Sequence, residues 1–161
     1  MKFRVTSKGE NETKQIAKTI ASLFNSGDLI ILDGDLGTGK THFVKGFADG
    51  LCSQNLVTSP TFSIANFYNS ATAQLLHIDL YRINTFDEFN DIGLYDYFSQ
   101  SIVIIEWGLK FSEYFDEYFL ISLAYDANET DTRKITFDCK GEKYNSIMNT
   151  LNQKLPNLLP C

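Results

Sequence analysis

Apolar residues recur at the spacing of a helix face at Ile16, Ile20, Leu23 and Phe24. Following the polar residues 11–13, they predict a first helix that runs to about Asn25 and stops before Gly27. Residues 29–32 are apolar at every position, the pattern of a strand buried on both faces in a parallel sheet. A glycine-rich turn over residues 34–39 follows, and Phe43, Val44, Phe47 and Leu51 then mark one face of a second helix that frays near Gly50. Residues 75–79 (Leu-Leu-His-Ile-Asp) and 102–106 (Ile-Val-Ile-Ile-Glu) predict two more buried strands, each ending in a carboxylate. Between them, Thr85 and Glu88 have the spacing of a capping box that starts a short helical stretch carrying Phe86, Phe89 and Ile92. Past Trp107 the pattern changes: residues 119–125 and 134–139 are strand-like, and the polar residues 126–131 between them predict a hairpin. Tyr144, Ile147, Met148 and Leu151 predict a closing helix, and residues 155–161 a loose tail. The fold class is therefore α/β: one three-layer domain over residues 1–161, with a mainly parallel sheet flanked by helices and extended by a C-terminal antiparallel hairpin.

A length of 161 residues suits one domain. With 43% apolar and 21% charged residues, the chain is composed for a packed core, which excludes general disorder and a coiled coil. Acidic residues outnumber basic ones 20 to 14, a net charge of −6 without a Lys/Arg run, so this chain alone is not built to grip a long phosphate backbone. The longest apolar runs, residues 29–32 and 102–105, fall far short of a membrane helix, and residues 1–10 are too polar for a signal peptide. The expectation is a cytoplasmic protein with no membrane contact. Cys52, Cys139 and Cys161 show neither C-x-x-C spacing nor a disulfide framework and read as reduced bystanders.

The turn itself changes the picture. Gly34-Asp35-Leu36-Gly37-Thr38-Gly39-Lys40-Thr41 fits G-x-x-x-x-G-K-[ST], between a buried strand and a helix, so the domain is P-loop NTPase-like. Glycines let the backbone turn its N–H groups inward around a phosphate, while the helix start adds unpaired donors and the positive end of its dipole. In such a loop Lys40 reaches the β and γ phosphates and the Thr41 hydroxyl ligates Mg²⁺. The metal needs a second anchor at the carboxyl end of a neighbouring strand, and Asp79 and Glu106 both stand at such ends. Either can hold the metal, directly or through water, while the other orients an attacking water. Each taken alone also reads as a strand-end cap, but two uncompensated charges at that edge are costly without a cation.

No N-K-x-D motif occurs, which excludes guanine reading, and no H-E-x-x-H or cysteine cluster offers ligands for catalytic zinc. Small-molecule kinases clamp the transferred phosphoryl group with several arginines, whereas this chain has only Arg4, Arg82 and Arg133. A small-molecule phosphotransferase is thus an alternative to an ATPase. A further alternative is a non-catalytic nucleotide-sensing interaction module in which Glu106 only holds metal.

Together, residues 34–41, Ser59-Pro60-Thr61-Phe62, His77-Ile78-Asp79-Leu80-Tyr81-Arg82 and Glu106-Trp107 resemble the TsaE family of bacterial P-loop ATPases in order and spacing, from about Thr6 to Asp138. The resemblance implies an ATP-binding and ATP-hydrolysing component of the machinery that makes N6-threonylcarbamoyladenosine in tRNAs reading codons that begin with A. Its implied partners are TsaB and TsaD. TsaD transfers the threonylcarbamoyl group to tRNA, and ATP hydrolysis supports repeated turnover, so the chain would meet tRNA only indirectly through the complex.

Carried onto this sequence, the resemblance implies that Gly37, Thr38, Gly39, Lys40 and Thr41 bind the ATP phosphates and that Thr41 with Glu106 attends Mg²⁺. Asp79 would be the Walker-B-like acid, making Asp79 and Glu106 the catalytic pair. Ser59, Pro60, Thr61 and Phe62 resemble a switch loop that feels the γ-phosphate through a hydroxyl, or else form a Pro-containing turn into a strand beginning near Ile64. Trp107 would lie by the nucleotide or a partner surface, with simple packing as its other reading. His77 is expected to pack on the sheet rather than move protons. Arg82 would pair with Asp79, meet a phosphate or bridge to a partner, and Arg133 is a candidate for the base side of the nucleotide. Tyr95, Tyr97 and Phe98 read as core residues ahead of an exposed docking patch. Two positions depart from the family pattern. His42 stands where a second Thr is common, leaving its backbone N–H to serve the α-phosphate, and Gly108 follows the Glu-Trp pair where Pro or a small residue is frequent.

Overall fold

Leu29, Ile30, Ile31 and Leu32 are all buried, which is why the strand they form, β2 (Leu29–Asp33), lies in the middle of the sheet with apolar layers on both sides. The computed structural model describes residues 2–53, 57–60 and 63–155. Among these, the other strands are β1 (Phe3–Ser7), β3 (Ala65–Asn69), β4 (Gln74–Asp79), β5 (Ser101–Glu106), β6 (Tyr118–Tyr125) and β7 (Arg133–Lys140). The helices are α1 (Glu10–Ala21), α2 (Lys40–Gly50), α3 (Phe86–Ile92) and α4 (Asn145–Lys154).

The seven strands form one sheet in the order β1-β7-β6-β2-β5-β4-β3. Strands β6, β2, β5 and β4 run parallel, β7 and β1 add antiparallel at one edge, and β3 pairs antiparallel with β4 at the other. The hairpin expected at residues 119–139 forms, and its first strand joins the parallel centre by pairing with β2, so it is more than an edge extension. Strand β1 lies outside the sequence pattern because only Val5 and Ser7 of its five residues are buried. The strand expected near Ile64 begins at Ala65.

Alternate positions divide the core. Ile30, Leu32, Ile102, Ile104, Phe119 and Ile121 share a cluster with α1, α2 and α4. Leu29, Ile31, Leu76, Ile78, Val103 and Ile105 share the other with α3 and two 3-10 helices, Leu94–Gln100 and Gly108–Tyr114. Burial of a side chain of this size stabilises by about 1.5–3 kcal/mol before entropy is counted. Helices α1 and α2 touch closely at Gly46, where a Cβ would run into the Lys14 backbone. That contact brings the first turn of α1 beside the first turn of α2.

Helix α3 starts as its sequence requires, the Thr85 hydroxyl accepting the Glu88 N–H at 3.2 Å. Tyr95 and Tyr97 depart from the core reading: they are 51% and 48% exposed, because the 3-10 helix that carries them turns only Leu94 and part of Phe98 inward. Leu155, expected to open a loose tail, is fully buried against the α4 side of the core. The rest of that tail, Cys161 included, lies outside the described residues. Among the described residues no helix is long and apolar enough to cross a membrane.

Candidate functional site

Strand β2 ends at Asp33 and α2 begins at Lys40, and between them the chain turns through Gly34, Gly37 and Gly39 at φ of +149°, +79° and +103°. Gly37 shows why the turn demands glycine. Its backbone is left-handed, and a Cβ there would stand 2.7 Å from the Tyr125 hydroxyl. The loop's carbonyls are satisfied by side chains. Thr38 Oγ1 donates to the Asp35 carbonyl at 2.8 Å, Tyr125 donates to the Leu36 carbonyl at 3.2 Å, and Arg133 Nε donates to the Thr38 carbonyl at 3.2 Å. Arg133 thus sits against the glycine-rich loop and lines the adjoining cleft.

Lys40 is only 6% exposed, its ammonium donating to the carbonyls of Gly34 and, at 3.1 Å, Asp35. The same ammonium lies 4.6 Å from the centroid of the Trp107 ring. Trp107 leaves β5 with φ of +61°, an uncommon conformation for a bulky residue, and its ring packs against Tyr81 at 5.2 Å. Trp107 thus packs between Tyr81 and the Lys40 ammonium, beside the glycine-rich loop.

Asp79 and Glu106 stand directly opposite each other, in register at the carboxyl ends of the adjacent parallel strands β4 and β5. They are 5% and 4% exposed and both line the cleft. Asp79 Oδ1 accepts the Tyr81 N–H at 2.9 Å, bending the chain out of β4. Glu106 Oε1 lies 2.9 Å from His77 Nε2, so His77 is a partner of the carboxylate as well as a packing residue. Lys110 holds the stretch after β4 in place by donating to the carbonyls of Leu80 and Ile83. Burial pushes the Lys110 pKa down, against the opposing pull of Asp79 and Glu88.

These elements frame a cleft of about 750 Å³. A further wall is the segment 8–13 at the start of α1, which the sequence pattern does not mark. The signal available there was the polar stretch Ser7-Lys8-Gly9-Glu10 running into a helix. Ser7 and Thr13 are buried with their hydroxyls 2.8 Å apart, and Glu12 accepts the Lys8 N–H at 2.7 Å, which fixes this turn. His42 Nε2 reaches across from α2 to Glu10 at 3.1 Å, tying the two first turns together. The imidazole is therefore engaged on α1, while its backbone remains at the helix start.

Thr41 and Ser59 line the cleft. Pro60 accepts the Ile64 N–H at 2.6 Å, while Thr61 and Phe62 of the expected switch loop lie outside the described residues. Arg82 is exposed. Among the described residues, no three His, Cys, Asp or Glu side chains cluster as a ligand set for a metal ion. A hydroxyl at Thr41 and a carboxylate at Glu106 facing one cleft fit a hard cation that keeps waters and takes its other oxygens from a phosphate.

The profile of the family described as "Threonylcarbamoyl adenosine biosynthesis protein TsaE" matches residues 7–135. The chain is 41% identical over 143 residues to the tRNA threonylcarbamoyladenosine biosynthesis protein TsaE of Bacillus subtilis, covering 88% of this chain and 89% of that protein. It is 33% identical over 137 residues to the protein of the same name from Streptomyces coelicolor, covering 81% and 93%. A crystal structure of Bacillus subtilis YdiB is similar at a TM-score of 0.76 and 34% identity, over 95% of each chain. The chain therefore belongs to the TsaE family of threonylcarbamoyl adenosine biosynthesis proteins.

Proposed function

We propose that this chain binds Mg-ATP in the cleft and hydrolyses it as a cytoplasmic component of the tRNA N6-threonylcarbamoyladenosine machinery, supporting turnover of its partners TsaB and TsaD. One observation carries the reading: Lys40 and Thr41 at the start of α2 face the same cleft as the opposed carboxylates Asp79 and Glu106. Membership of the TsaE family supplies the pathway.

On polyphosphate binding, Lys40 exchanges the Gly34 and Asp35 carbonyls for phosphate oxygens, and the N–H groups of Thr41 and His42 meet the anion at the positive end of α2. The Thr41 hydroxyl and Glu106 would hold Mg²⁺, which would supply positive charge against the phosphates of the nucleotide. Asp79 orients the water whose oxygen bonds to the γ-phosphorus as the bond to the bridging oxygen breaks. Tyr81 and Lys110 keep Asp79 and its loop in place while this happens.

The test is Mg²⁺-dependent ATP hydrolysis by the purified chain, alone and titrated with TsaB and TsaD, beside Lys40→Ala and Glu106→Ala. Partner-dependent hydrolysis lost in both variants supports the reading. ATP binding without hydrolysis, or hydrolysis indifferent to the partners, overturns the mechanism and leaves family membership intact.

A further inference from the structure

His77 is fully buried in the middle of β4, between the apolar neighbours Leu76 and Ile78. A buried imidazole is costly unless its nitrogens are paired, and here only one of them is. Nε2 lies 2.9 Å from Glu106 Oε1, whereas Nδ1 has no hydrogen-bond partner among the described residues. Packing alone does not account for this choice, since a leucine would fill the space without an orphaned nitrogen. The register explains the reach. His77 stands opposite Ile104 and so lies diagonal to Glu106 on the sheet face that Asp79 also occupies. A carboxylate that holds a cation only accepts, so on that reading of Glu106 the N–H at His77 Nε2 is the hydrogen-bond donor to Oε1.

Resting on the reading of Glu106 as a metal donor, we propose that His77 is a positioning residue that locks the Glu106 carboxylate in one orientation toward the cleft. Glu106 lines the cleft, and His77 holds it from within the sheet. Without that donor the carboxylate has more than one rotamer open to it and meets the metal in only a fraction of them. Carboxylates that ligate metals are commonly fixed by such a bond, and its loss costs about 10–100-fold in metal affinity or activity.

The experiment compares wild type, His77→Leu and His77→Gln, with thermal melts to establish folding. Leucine fills the space without a donor, while glutamine retains an N–H of similar reach. Should His77→Leu not fold, His77→Asn, whose amide stops short of Glu106, takes its place. Mn²⁺ serves as the probe, titrated by electron paramagnetic resonance in the presence of a non-hydrolysable ATP analogue, and kcat and KM are measured with Mg-ATP. The donorless variant is expected to bind Mn²⁺ about 10–100-fold more weakly and to lose kcat by a similar factor, with metal-free nucleotide affinity changed by less than about twofold. His77→Gln is expected to recover most of both losses. Unchanged Mn²⁺ affinity in the donorless variant, or a loss that glutamine does not recover, overturns the proposal. If the wild type binds Mn²⁺ and nucleotide without hydrolysing it, the ATPase reading fails while the Mn²⁺ titration still decides the role of His77.

Discussion

Arg133 and Thr38 are 95 residues apart in the chain, yet Arg133 Nε donates to the Thr38 carbonyl at 3.2 Å. The guanidinium also lies 4.3 Å from the ring centroid of Tyr125, its register partner across β6 and β7, and Tyr125 donates to the Leu36 carbonyl. The end of the hairpin is thus a clamp on the glycine-rich loop. This gives a physical use to a strand pair that the sequence marked only as an extension of the sheet.

Arg133→Ala removes the bond to Thr38 and the cation over Tyr125 together. A loop freed in this way pays more entropy to close on phosphate. The expected result is an ATP affinity lower by about fivefold, roughly 1 kcal/mol, with a smaller effect from Tyr125→Phe. Calorimetric titration of ATP into both variants checks the order, and equal or absent effects would remove the clamp from the account.

Gly37→Ala introduces a side chain at φ of +79° and 2.7 Å from the Tyr125 hydroxyl. The left-handed backbone costs about 1–2 kcal/mol for a residue with a Cβ, and the collision adds to that. ATP affinity should therefore fall by at least about tenfold. Adding Tyr125→Phe removes the collision and leaves the backbone cost, so the double variant should regain part of the loss. A double variant no better than Gly37→Ala alone would show that the collision contributes nothing.

Asp79→Asn and Glu106→Gln separate charge from scaffold. An amide oxygen can still accept from the Tyr81 N–H or from His77 Nε2, so both local hydrogen bonds survive while the negative charge is lost. Melting temperatures should stay close to wild type, and Mg²⁺-dependent ATP hydrolysis should fall by about 100-fold or more in each. Retained hydrolysis in Asp79→Asn would return Asp79 to the role of a turn cap.

The elements legible in the sequence were those whose burial repeats along a single segment. Leu29 to Leu32, residues 102–106 and the Thr85 cap all carry their own signal. Strand β1 does not, because with Val5 and Ser7 alone buried its place is set by pairing with β7. The same limit applies to the cleft. The glycine-rich loop and the two carboxylates are local motifs, and the sheet register brings Asp79 opposite Glu106. The wall at residues 8–13, the contact of Glu10 with His42 and the bond from His77 to Glu106 depend on how α1 packs on α2 and how β4 aligns with β5. Tyr95 and Tyr97 show the converse error, since aromatic content reports the capacity for burial and not its occurrence.

Tyr144 ties the closing helix region to the central strand, its oxygen accepting the Leu29 N–H at 2.9 Å in a position 1% exposed. Tyr144→Phe leaves that buried N–H unpaired, at a cost of about 1–2 kcal/mol, or a melting temperature lower by about 3–6 °C for a chain of this size. Burial pushes the Tyr144 phenol pKa up in the folded state, the Leu29 N–H pulling the other way. A folded pKa above the unfolded value means the contribution to stability is complete below the unfolded pKa of about 10 and is lost as pH rises through the folded pKa. Denaturant melts of wild type and Tyr144→Phe from pH 7 into the alkaline range should therefore show a constant gap up to about pH 10 that narrows above it. A gap that stays constant through that window would mean Tyr144 ionises alike in the folded and unfolded chains.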